Sequence, residues 1–395
     1  MLKDVAQKNL SILMVLSFII CLFAVPAISE AAIGISSYDE PVLPNWPNAE
    51  DLWNGGEAYG INDSGIVIGS GVDNTDYGYK AFTYNGSGYT ELLPSQMYSI
   101  QSVWFGDNPS INNNNVIAAS GYNSTYSSVG FTMNTDGTGF TQLLDTGWGS
   151  SWTYNINDSN NVVGAAFTSD SAFDPTGFYY DGAYSTILPS GWSFSEATAV
   201  NSGNVVVGFG TSDPFGFDTT GFMWTKSGGF LSTSLEPDNW SSVNIYDINA
   251  SGYVVGSGTD IDGTQKGFVY DGSTYTTLLP VIGTTWEWAE ALGINSQGAI
   301  VGKGGDGTGT KGFLYYNGEY TEVLPSGWSD VYAYDINDNN VIVGSGVTGF
   351  GLAAGFTATA SGIPAPPVVP EPVSSVLFVI GGALLAGRRF LKKRV

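Results

Sequence analysis

Three observations predict an all-β fold. A phrase built on Ile-Asn recurs seven times, Asn-Gly and Asp-Gly turn dipeptides separate β-branched and aromatic runs, and the body of the chain shows no helical periodicity. Composition agrees: Gly accounts for 54 of 395 residues, and Tyr, Phe and Trp together supply as many.

The first phrase reads INDSGIVIGSG from Ile61, INNNNVIAASG from Ile111 and INDSNNVVGAA from Ile156. It continues as VNSGNVVVGFG from Val200, INASGYVVGSG from Ile248, INSQGAIVGKG from Ile294 and INDNNVIVGSG from Ile336. Its asparagines (Asn62, Asn112, Asn157, Asn201, Asn249, Asn295, Asn337) are separated by 50, 45, 44, 48, 46 and 42 residues. A second phrase follows each, KAFTYNG from Lys80 in the first unit and a Gly-Phe phrase in the others, and then, in every unit but the last, a strand of the type Tyr-Thr-x-Leu-Leu-Pro. Each unit thus reads as four short strands joined by tight turns, the size of one propeller blade. The seventh unit stops at GFTATASGIP, without its fourth strand. YDEPVLPNW (Tyr38–Trp46), ahead of the first unit, resembles YTEVLPSGW (Tyr320–Trp328) and supplies the missing piece. The expectation is therefore a seven-bladed β-propeller over 38–360, its last blade closed by an N-terminal strand so that no sheet edge stays free. An open β-solenoid is the alternative.

Within a unit, most positions have packing roles. Asn at a hairpin turn bonds nearby backbone N–H groups and tolerates left-handed geometry. Gly69, Gly164, Gly208, Gly256, Gly302 and Gly344 are expected at bulges or at close approaches between neighbouring blades. Phe131, Phe178, Phe222, Phe268, Phe313 and Phe356 are expected between blades. Trp53, Trp148, Trp192, Trp240, Trp286 and Trp328 precede their unit's Asn by nine residues, and Trp104 by eight. Seven indoles at one radius leave two readings open: wedges between blades, or a circle of platforms on which sugar rings stack.

The sequence excludes more chemistry than it offers. It has no His, and its single Cys21 lies in an N-terminal apolar run. Ser-His-Asp and Cys-His nucleophiles, thiolate zinc sites and His- or Cys-ligated haem are therefore absent from the expectation. Between Ala32 and Val369 five Lys and no Arg face 33 Asp and Glu, a net charge of −28 that repels phosphate backbones and rules against nucleic acid. Hard oxygen ligands at Asp260 and Asp262, at Asp73 and Asp76, and at Asp213 and Asp218 make weak calcium candidates without a complete loop. No other metal or cofactor is expected. Glu57, Glu196 and Glu290 each follow their unit's Trp by four residues and could share one mouth, which keeps a carboxylate-based glycan hydrolase as an alternative. The acids are spread evenly over the units, which favours a non-catalytic binding protein or a purely structural scaffold.

The two ends read as addresses. Met1–Ala31 combines basic Lys3 and Lys8, an apolar Ser11–Val25 and small residues at Ala27, Ser29 and Ala31, the order of a secretory signal peptide. A Pro-rich linker (361–372) leads to an apolar stretch, Val373–Gly387, and a basic tail, RRFLKKRV. Both apolar stretches are expected to be short helices, and the second is a marginal membrane anchor.

The end of the chain, Val369–Val395, resembles the PEP-CTERM sorting signal in its Pro-Glu-Pro triplet, short apolar helix and basic tail. That resemblance implies recognition of Pro370, Glu371 and Pro372 by an exosortase, a membrane transpeptidase-like protease of exopolysaccharide-producing Gram-negative bacteria. It also implies transient membrane attachment, with Arg388 and Arg389 on the cytoplasmic side, and delivery to the cell surface or beyond. The repeat phrases over Trp53–Phe356 resemble the extracellular HAF repeat family, in which a His-Ala-Phe-Leu-Trp-like stretch follows the Ile-Asn stretch. Lys80-Ala81-Phe82 comes nearest to that second stretch, and without His no role of the family's His carries over. Together the resemblances imply a secreted surface or matrix protein whose partner is a polysaccharide or a surface protein.

Overall fold

The computed structural model describes residues 32–42, 56–73, 78–92, 97–100, 109–168, 174–213 and 218–364. The signal segment, the Pro-rich linker beyond residue 364, both apolar terminal stretches and the sorting residues Pro370, Glu371, Pro372, Arg388 and Arg389 lie outside them. Among the described residues there is no helix. Seven antiparallel sheets follow one another around a ring, the first six being meanders in sequence order; in blade two, two short strands share the innermost place.

The fourth strand of blade seven comes from the other end of the chain. Gly34–Val42 lies antiparallel to Ala353–Ser361, with Tyr38 opposite Ala358. Tyr38 takes the position that Tyr320 holds in blade six. Its ring meets Phe356 edge-on at 6.1 Å, as Tyr320 meets Phe313 at 6.1 Å. The strand starts at Gly34, four residues ahead of the Tyr motif, because the nine-residue Ala353–Ser361 extends the ladder to Ser361 opposite Gly34. Blade seven packs in turn on blade one, where Val343 joins Ala58, Ile61, Val67 and Phe82 in one core. A small hairpin, Val281–Ile282 with Thr284–Thr285, fills the longer connection between blades five and six.

The second strand of each blade is a run such as Val162–Thr168, buried along nearly its whole length because neighbouring blades cover both faces. The innermost strand carries a register shift in each of six blades, for example between Ala291 and Gly293. That bulge drives a carbonyl onto the glycine of the second strand. A Cβ on Gly302 would lie 2.0 Å from the Glu290 carbonyl and 2.8 Å from the Phe313 ring. These glycines therefore serve bulges, as expected, but the close approach is within a blade. Contact with the next blade belongs to the glycine of the Gly-Phe pairs in blades two to six: a Cβ on Gly221 would meet Ile245 at 2.9 Å. The paired phenylalanines, including Phe178, Phe222, Phe268 and Phe313, are fully buried.

Candidate functional site

The innermost strands enclose a central chamber of about 960 Å³, near the top of the roughly 300–1,000 Å³ range of ligand sites. Its rim is set by the recurring asparagines, whose role exceeds a turn. Each Oδ1 accepts N–H groups of its own turn, as Asn157 does from Ser159 and Asn161 (both 3.0 Å). Each Nδ2 donates to the main-chain carbonyl of the asparagine in the next blade. Asn62 bonds Asn112 (3.1 Å), Asn112 bonds Asn157 (2.9 Å), Asn157 bonds Asn201 (2.9 Å) and Asn201 bonds Asn249 (3.1 Å). Asn249 bonds Asn295 (3.0 Å), Asn295 bonds Asn337 (3.2 Å), and Asn337 returns to Asn62 (2.9 Å). Seven buried amides thus form a circular chain of hydrogen bonds through every blade.

A second girdle lies on the next residue, and it is incomplete. The amides of Ser296, Asp338, Asp63 and Asn113 donate to the side chains of Asp338, Asp63, Asn113 and Asp158 at 2.8–2.9 Å. Ser202 and Ala250, in blades four and five, stand where the pattern stops. The rim is consequently acidic on the side of blades seven, one and three and neutral opposite. Burial raises the Asp63 carboxyl above its ordinary range, with Asp338 and Asp158 adding to the rise.

Deeper in, the bulge of each of those six blades aims the residue three before its asparagine at the axis. Four of these are tyrosines: Tyr59, Tyr154, Tyr246 and Tyr334. Burial, reinforced by nearby glutamates, pushes the phenols of Tyr59, Tyr246 and Tyr334 well up, so they stay neutral donors. The three glutamates singled out in the sequence stand one layer below, all on innermost strands. Tyr59 donates to Glu57, Tyr154 to Glu196 (3.1 Å), and Glu290 accepts from Gln265 (2.8 Å) and pairs with Lys303 (3.2 Å). Among the described residues, Lys303, whose Nζ lies 5.2 Å from the Tyr332 ring centre, is the one cation lining a chamber that carries seven carboxylates.

Two of those carboxylates sit at the seams. Asp247 accepts the amides of Ile248 (2.7 Å) and, across the seam, Ile294 (3.0 Å). Asp335 does the same for Ile336 (2.8 Å) and Ile61 (3.0 Å). Burial pushes their carboxyls up to about 7 and about 6. Asn155 plays this part in blade three, accepting from Val200 (3.2 Å) and donating to Ser110 (3.3 Å).

Two of the described tryptophans are wedges between blades. Trp286 and Trp328 are 2% and 9% exposed, which leaves no face for a sugar. Trp148, Trp192 and Trp240 are half-buried, and all five lie 5.2–6.2 Å from the Phe of their own unit. Trp53 and Trp104 lie outside the described residues. Of the calcium candidates, Asp76 lies outside the described residues. Asp260 is paired with Lys266 and accepts the amides of Asp262 and Thr264, and the described residues hold no cluster of three acidic ligands.

Fold and chamber together define the class: an acidic all-β propeller with a tyrosine-lined axis. No family model matches the chain, and no curated protein does. Among solved structures, TolB from Acinetobacter baumannii is similar at 10% identity over 78% of this chain and 64% of its own, with a TM-score of 0.44. A putative TolB from Agrobacterium tumefaciens is similar at 10% identity over 57% and 82%, with a TM-score of 0.42. The six-bladed fungal lectin of Aleuria aurantia, described as recognising fucose, gives 12% identity over 70% and 99%, with a TM-score of 0.38.

Proposed function

We propose that this chain is an exported, non-catalytic surface or matrix protein whose central chamber binds polysaccharide. One observation carries the reading: Tyr154, Tyr246 and Tyr334, each partly open to the chamber, stand over Glu196, Asn244 and Glu290 in a cavity of about 960 Å³. Phenol faces and hydroxyls beside oriented acceptors suit sugar rings and their hydroxyls. The glutamates serve as acceptors held by Tyr154, Gln265 and Lys303, a binding arrangement and not an acid–base pair. Pairing of Gly34–Val42 on the outer edge of blade seven serves as the latch that keeps the ring shut.

A glycan array probed with the purified protein should show binding without turnover, and Glu290→Gln should weaken it about tenfold through loss of a charge-assisted acceptor. Release of reducing ends would overturn the reading in favour of a hydrolase, and silence in both assays would leave a scaffold.

Export follows from the two terminal signals, with an exosortase-type protease as processing partner and the cell surface or medium of a Gram-negative bacterium as destination. Mass spectrometry of the protein from its native cells should find a mature C-terminus near Pro370–Pro372. A chain recovered intact to Val395 would refute processing.

A further inference from the structure

The outer edges of blades four and five enclose a second cavity, of about 380 Å³. Its floor is aromatic: Tyr270 and Tyr275 stack at 4.6 Å, and the half-buried Trp240 lines it too. The tyrosine pair is common to the repeat, since Tyr84 and Tyr89, Tyr180 and Tyr184, and Tyr315 and Tyr320 stand at 4.7–4.9 Å. The walls are polar and belong mainly to blade four, which supplies Ser232, Ser234, Glu236, Asp238 and Asn239.

The other blades show which of these features packing requires. In five of them the aromatic residue of the outermost strand stands three residues before its buried aliphatic one: Tyr89–Leu92, Phe140–Leu143, Tyr184–Ile187, Tyr275–Leu278 and Tyr320–Val323. In blade four the separation is five, Phe230–Leu235, and two register shifts against Thr220–Thr225 take up the surplus. Such bulges re-aim side chains, here bringing Ser232 and Ser234 to the cavity. At the next position blades five and six set Leu279 and Leu324, whose amides bond the phenols of Tyr320 and Tyr38 across the seam. Blade four sets Glu236 there, against Tyr275. The turn before the following Trp is Thr146-Gly147, Ser190-Gly191 and Ser326-Gly327 elsewhere, with its glycines at φ +81° to +89°. Here it is Asp238-Asn239, with Asn239 at +64°. Two added residues and three exchanged ones thus converge on one cavity, and the other described blades fold without them.

The chemistry of the cavity selects the ligand. Glu236 is a fixed acceptor, held by the hydroxyls of Thr220 (3.0 Å) and Ser234 (3.3 Å). Aromatic faces beside that carboxylate, a second acid, an amide and hydroxyls match the C–H faces and hydroxyls of a sugar ring. Among the described residues no cation lines the cavity, and a body carrying −28 repels anionic sugars. We propose that this cavity is a second binding site, taking an uncharged sugar unit of a polysaccharide at the outer edge of the ring. The proposal rests on the polysaccharide reading above and adds a site that shares no residue with the central chamber.

A glycan array probed with the full chain, wild type beside variants, tests it. Glu236→Leu with Asp238→Ser and Asn239→Gly restores the residues of the other blades, so its urea midpoint should stay at the wild-type value. This variant should bind at least one uncharged glycan about tenfold more weakly, through loss of the fixed charged acceptor. If its midpoint falls, Asp238→Ser with Asn239→Gly, which only restores the turn, is read in its place for a loss on the same glycan. Wild-type binding of every glycan by the folded variant would overturn the edge site and leave the chamber standing. A loss confined to glycans with free amino groups would assign the cavity to ammonium ligands and overturn the proposal as well. Uncharged-glycan binding abolished by the edge variant and untouched by Glu290→Gln would uphold the edge site and remove the chamber's role. A wild type that binds no glycan would end both readings.

Discussion

Asn295→Asp should cost about 3–5 kcal/mol of stability at neutral pH, although the two side chains have the same shape. The Oδ1 of Asn295 accepts the amide of Ala299 (2.9 Å), and an aspartate would preserve that turn. The Nδ2 donates to two acceptors of blade seven, the carbonyl of Asn337 (3.2 Å) and Oδ1 of Asn340 (2.9 Å). All three residues are buried. The substitution therefore turns two hydrogen bonds into two oxygen–oxygen contacts around a buried charge, and it breaks the circular chain at one seam. Burial and the facing oxygens would hold the new carboxyl above its unfolded value of about 3.9. The variant's deficit should consequently shrink as pH falls, since the protonated acid can again donate. Urea midpoints at pH 4.5 and pH 8, measured beside wild type and Asn295→Ala, decide the matter. An aspartate variant as stable as wild type at both pH values would show that the amide circle contributes nothing beyond the turns.

That substitution also marks what could be read in advance. Blade number and strand order were legible because turns are chemical: Asn62, Gly65 and their six counterparts are required wherever the chain reverses between two buried strands. Turn chemistry alone accounts only for Oδ1, which aspartate or serine also supplies. Asparagine in all seven units was the signal for a donor with a buried partner, and the partner's identity needs the ring. The tyrosines of the chamber were likewise visible as Tyr-x-Ile-Asn at Tyr59, Tyr154, Tyr246 and Tyr334. Their direction was not, because a bulge breaks the two-residue alternation from which facing is inferred. Spacing put the tryptophans at one radius but could not orient them. In the fold the edge-on contact with Phe268 or Phe356 turns an indole inward.

Stability should fall, not rise, between about pH 5 and pH 8, and Asp247 and Asp335 should be the reason. Both keep some surface on the chamber, yet protein surrounds them, and burial lifts their carboxyls to about 7 and about 6, Asp247 also sensing Asp335 and Asp335 sensing Asp63 and Asp338. An acid whose folded value exceeds its unfolded one binds more protons in the folded state across that interval. Its contribution is complete near pH 4–5 and is lost as pH rises through the folded value. For the pair the loss is on the order of 4 kcal/mol, less than full linkage because the chamber wets both groups. Below about pH 4 the opposite sign takes over. The turn carboxylates Asp271, held down by the Thr274 amide, and Asp306, held down by the Thr308 hydroxyl, lose their bonds on protonation. The optimum should therefore lie near pH 5. Asp247→Asn with Asp335→Asn tests the assignment. Asn155 succeeds at the equivalent place because Ser110 accepts its amide, whereas the preceding blades offer only Ala199 and Gly293 to blades five and seven. The double variant should then be less stable than wild type at pH 5 by about 1–3 kcal/mol per unpaired amide, and its profile should be flat to pH 8. A variant that kept the wild-type slope in urea titrations across this range would place the titrating groups elsewhere. A wild-type slope of the opposite sign would mean that the seam amides outweigh burial and that both carboxylates are ionised throughout.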